Sequence, residues 1–73
     1  MIVLMYNKEL DTKIKLVIGD KQEFVSYTIR HADNEEHHIK HDFDDRIKAV
    51  NFLYGKVGGL YLSGYERQEV IEL

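Results

Sequence analysis

Cysteine, proline and tryptophan are all missing from this chain. Without cysteine there are no disulfides, thiolate zinc sites, iron–sulfur clusters or cysteine nucleophiles, and the absence fits a reducing cytoplasm. Without proline, one of the usual markers of strand edges and turns is lost. Long apolar runs are also missing. Nothing approaches the roughly 18 apolar residues that read as a membrane span, and the apolar start Met1–Tyr6 has no basic flank and stops at polar Asn7, so no secretory signal is read there. A soluble cytoplasmic protein without a membrane partner is expected. Positive charge is scarce too: 10 basic against 13 acidic residues leave a formal charge of −3. That balance argues against a nucleic-acid partner, which selects for a basic stripe.

The 73 residues allow one domain with one small core. At this size a core alone supplies only about 3–5 kcal/mol, so a metal or a second subunit is a common supplement.

What is present alternates. Ile2–Tyr6 is a short apolar run suited to a strand covered on both faces. Lys13–Ile18 places Ile14, Leu16 and Ile18 on one face and Lys13, Lys15 and Val17 on the other, the pattern of a half-buried strand. A tight turn about Asp20-Lys21 would set Ile18 opposite Glu23, Leu16 opposite Val25 and Ile14 opposite Tyr27. The next strand carries Val25, Tyr27 and Ile29 on the apolar face. A three-residue loop Asp33-Asn34-Glu35 then aligns His31 with His37, Ile29 with Ile39, and Tyr27 with His41.

Asp42 or Asp44 can cap a helix over about 44–54, with Asp44 and Asp45 at the positive end of its dipole. Ile47, Val50 and Tyr54 form its inward stripe beside Phe43 and Leu53, and Gly55 ends it. Beyond, Leu60–Ser63 and Arg67–Leu73 read as strands. By strict alternation, Glu66 and Glu72 face away from Glu69. The fold class predicted is α+β, an antiparallel sheet of about five or six strands in β-β-β-β-α-β-β order with one helix on one face.

Chemistry is sparse. His31, His37 and His41 share a face in this register, but His37 and His41, four apart on a strand, lie about 13 Å from each other and cannot chelate together. A zinc ion needs three or four ligands, which Asp33 or Glu35 would have to complete, so no metal and no cofactor are assigned. Histidine ordinarily titrates near pH 6.5, which makes pH sensing a further rival. Ser26, Ser63 and the histidines show no Gly-x-Ser-x-Gly or His-Glu-x-x-His spacing. Gly58-Gly59 lacks the Lys-Ser/Thr of a phosphate loop, and so small a core leaves little room for a substrate pocket. A non-enzymatic protein is expected.

Six carboxylates against Lys40 alone lie between Asp33 and Asp45. Asp33, Glu35, Glu36, Asp42, Asp44 and Asp45, with Tyr61 and Tyr65 as aromatic anchors, form the candidate surface for a basic protein partner. By analogy of size and charge alone, such a module suits a phage- or plasmid-type inhibitor or regulator of a host protein. The alternatives are a self-associating structural protein, a homo-oligomer joined through the Val17/Phe24 face or an edge strand, and a histidine–carboxylate metal protein.

Overall fold

A computed structural model describes residues 1–19 and 24–71. Five strands, β1 (Ile2–Asn7), β2 (Thr12–Ile18), β3 (Phe24–Arg30), β4 (Glu36–Asp42) and β5 (Glu66–Ile71), and one helix, α1 (Arg46–Leu62), follow in the order β-β-β-β-α-β. The strands form one antiparallel sheet in spatial order β4-β3-β2-β1-β5. Strands β1 to β4 wind as a meander, and α1 crosses the sheet to deliver β5 beside β1. This is the expected α+β class.

The core lies between α1 and one sheet face, from Val3 and Met5 (β1), Ile14, Leu16 and Ile18 (β2), Val25 (β3), and Ala49 and Leu53 of the helix. Among the described residues, none forms a layer on the other face. Ile2, Leu4 and Tyr6 are therefore only half-buried, so the apolar run of β1 is covered on one face, not two.

Both predicted hairpin registers move by two residues. Leu16 pairs with Tyr27 and Ile18 with Val25, while Ile29 pairs with His37 and Tyr27 with Ile39. A shift of two keeps every side chain on its face, whereas a shift of one would invert the sheet. The predicted turn at Asp20-Lys21 and the partner position Glu23 lie outside the described residues, as do Glu72 and Leu73.

The second hairpin shows the cause. Its loop does hold three residues, but they are Ala32-Asp33-Asn34, closed by His31 N–H donating to Glu35 O at 2.9 Å and Asn34 N–H to His31 O at 2.9 Å. This is a turn followed by a left-handed residue, and Asn34 takes that place at φ 66°. Asparagine tolerates it better than the glutamate that the predicted loop would have put there.

The helix begins and ends later than expected. Asp45 is the N-cap, its carboxylate accepting from Ile47 N–H at 2.7 Å, and Asp44 instead pairs with Lys48 Nζ at 3.2 Å. The helix runs through Gly55, Gly58 and Gly59, absorbing the segment read as a strand at Leu60–Ser63. It stops at Gly64, whose φ is 91°. There Tyr65 N–H donates to Leu60 O and Gly64 N–H to Tyr61 O, the paired bonds of a Schellman ending, with Tyr65 and Leu60 both packed on the core.

Candidate functional site

The eight residues singled out from the sequence do not converge. Asp33, Glu35 and Tyr65 line a wide depression of about 530 Å³ at the turn end of the sheet, together with His31 and Leu10. Asp42, Asp44 and Asp45 stand at the other end of β4, six residues and about 20 Å from Glu36. Tyr61 lies on the outward side of α1, and Glu36 on the open sheet face opposite Arg30.

Most of these carboxylates also have local engagements. Asp33 accepts from Glu35 N–H at 3.0 Å. Glu36 accepts from Arg30 Nε at 2.8 Å and also from its Nη2, and lies 3.5 Å from His38 Nε2. The hydrogen bond and charge of Arg30 hold the Glu36 carboxyl below its ordinary value of 4.5. Asp42 pairs with Lys40 at 3.4 Å, Asp45 caps the helix and Asp44 holds Lys48. What reads along the chain as one acidic block is divided in space between turn, edge strand and cap.

The histidines separate likewise. His31 leaves the strand for the turn and meets His37 edge-on, ring centroids 5.3 Å apart. His41 stacks on Tyr27 and lies tilted against Phe52, and His38 Nδ1 lies 2.9 Å from Thr28 Oγ1 on the open face. Among the described residues, no group of three or more histidines and carboxylates is placed to hold a metal ion.

Two surfaces stand out that the spacing of motifs did not reveal. On the open sheet face, Lys13 and Arg30 are directly opposite across β2 and β3, and Lys15 is two residues further along. They border a depression of about 300 Å³ floored by Leu4 and Thr28. Like charges directly opposite disfavour the pairing; Glu36 offsets Arg30, while Lys13 and Lys15 have no ion-pair partner among the described residues. Carboxylates fence this patch at the sheet edge, because β5 bulges at Gln68. Glu69 pairs with Leu4 and Glu66 with Tyr6, which sets both on the open face instead of opposite faces. Phe24 and Val17 are not direct partners. The Phe24 ring lies over Gly19, where an added Cβ would meet it at 2.5 Å, with Lys40 Nζ 4.6 Å above its centre.

The second surface is the outward side of α1. The inward stripe is Ala49 and Leu53, continued by Val57 and Leu60. Ile47 and Tyr54, expected inside, are instead exposed with Tyr61 and Leu62, Tyr54 on the flank where it lines a hollow of about 180 Å³ with Leu53, Val57, Arg67 and Val70. Asn51, Gly55 and Gly58 complete this side at helical spacing. The charged residues of α1 lie elsewhere: Lys56 reaches back over the rings of Tyr27 and Phe52, and Lys48 turns to Asp44. A spacing of seven residues through Ile47, Tyr54 and Tyr61 was a readable signal, but the helix is apolar on two sides and the pattern alone does not say which is covered.

No helix among the described residues is long and apolar enough to cross a membrane. Set against protein-family models, curated proteins and solved structures, the chain matches none.

Proposed function

We propose that the chain is a non-enzymatic protein-interaction module whose contact surface is the outward face of α1. One observation carries this reading: Ile47, Tyr54, Tyr61 and Leu62 are 66, 62, 46 and 92% exposed on a helix side that holds no charged residue. A surface helix of a single small domain ordinarily turns its polar face to water, and a contiguous apolar patch of this kind marks a contact site. Tyrosine contributes a large rigid body with a polar tip, well suited to an interface.

The test is a photo-reactive residue, p-benzoylphenylalanine, placed in turn at positions 54, 44 and 15 of the chain expressed in its source cell. Adducts to a defined protein are expected from position 54 alone. Adducts only from position 44 would move the contact to the acidic helix start, and none from 54 would remove this reading.

A second reading is favoured by the open face. Lys13, Lys15 and Arg30 over an apolar floor suit a short acidic protein segment, and the fence of Glu36, Glu66 and Glu69 disfavours a long polyanion. Adducts from position 15, lost with Lys13→Glu, would support it.

A further inference from the structure

The outward face of α1 is symmetric about its own middle. Ile47 and Tyr61 lie seven residues either side of Tyr54, so the three side chains fall almost in line over about 21 Å of helix. The line drifts only about 20° per seven residues, the shallow inclination that lets two helices pack side by side. Between the large residues the same side carries small ones.

Resting on the interaction reading above, we infer that this face is the interface of a homodimer, with two copies of α1 antiparallel about a two-fold axis through Tyr54. Each Ile47 then meets the other copy's Tyr61, Tyr54 meets Tyr54, and Val50 meets Gly58, where the absent side chain leaves open space. Large opposes small, as close packing requires.

Charge singles out a second copy as the occupant. The last turn of α1 has no basic residue to complement its carbonyl end, and Arg46 at the start makes no ion pair among the described residues. Antiparallel pairing brings each Arg46 to the other copy's Leu62, placing a cation at the carbonyl end of that helix, where it is favourable. The antiparallel dipoles themselves attract. No charged residue of α1 lies within the face; Arg67 of β5, which lines a hollow with Tyr54, stands at its border.

Area is sufficient. With about 200 Å² per large side chain, the four exposed residues offer at most roughly 500 Å² on each copy and roughly 1,000 Å² per dimer, which reaches the lower limit for a specific interface when all of it is covered.

The natural chain has no cysteine, so single cysteines report this geometry directly. Purified Tyr54→Cys should form a disulfide dimer on mild oxidation. Ile47→Cys alone and Tyr61→Cys alone should not, but their mixture should form the heterodimer. Light scattering of the unmodified chain should give twice the monomer mass, and the melting temperature should rise with protein concentration. Tyr54→Glu, a substitution at an exposed position, should leave the circular dichroism spectrum unchanged and weaken association ~10-fold or more. Arg46→Glu should weaken it by a smaller factor.

A monomer at every concentration, or a dimer whose cysteine pairs ignore this register, overturns the inference. If the chain is monomeric and the photo-reactive residue at position 54 still captures a different protein, the interaction reading stands without the homodimer. If position 54 captures nothing, both fall.

Discussion

Asn7 is a buried polar side chain at the point where three elements meet. Its Nδ2 donates to Ser63 O at 3.3 Å, and its Oδ1 accepts from Leu10 N–H at 3.1 Å. One residue thereby closes the β1–β2 turn and anchors the end of α1 to it. Asn7→Ala strands both backbone groups, and urea denaturation should show a loss of about 1–3 kcal/mol. Glu36 supplies a pH signal. Arg30, by hydrogen bond and then by charge, lowers its pKa from the ordinary 4.5, so the unfolded chain takes up the proton more readily than the folded one. The stabilisation is complete above the ordinary value and is lost as pH falls through the folded one. Between about pH 5 and 3 the melting temperature should therefore fall more steeply for the natural chain than for Glu36→Gln.

At the scale of elements, α1 is the surprise. Three glycines in its second half weaken it by about 0.5–1 kcal/mol each relative to alanine, and Gly55 looked like its natural end. It continues because Val57 and Leu60 extend the Ala49–Leu53 stripe over the sheet, and because Gly64 alone offers the left-handed ending. Gly59→Ala, with open space around the new methyl, should raise the denaturation midpoint by about 0.5–1 kcal/mol of stability. Gly64→Ala, forced to φ near 91°, should lower it by about 1–2 kcal/mol. The opposite signs distinguish a glycine that the helix merely tolerates from one that it requires.

Over the whole molecule, protection is uneven. β1, β2 and β3 each have a strand on both sides, and the helix packs over β2 and β3. β4 is an edge whose seven residues are all exposed, held by β3 and by the contacts of His41 with Tyr27 and Phe52. Native-state amide exchange should be slowest in the central strand β2 and markedly faster in β4. Edge strands invite pairing with other chains. Here Glu36 and Asp42 would meet their counterparts in a self-paired β4, which discourages that route to association and leaves the helix face as the better one.

The class of fold, the strands up to the helix and which residues share a face in β2, β3 and β4 were legible along the chain, because alternation is a local property of a two-residue repeat; the continuous apolar run of β1 hid which of its faces is covered. Also legible were a helix after the second hairpin and a carboxylate at its start. Register was decided elsewhere. A loop displaced by one residue shifts pairing by two, preserves every face, and so leaves no trace in the apolar pattern; Asn34's backbone made the choice. The bulge at Gln68 escaped for a similar reason, since one extra residue in β5 cancels the alternation that set Glu66 against Glu69. Which stripe of α1 is inside was settled by packing in three dimensions. Ala49 and Leu53 let the helix approach the sheet closely, and that packing, which no periodicity encodes, turned Ile47, Tyr54 and Tyr61 outward to become the candidate interface.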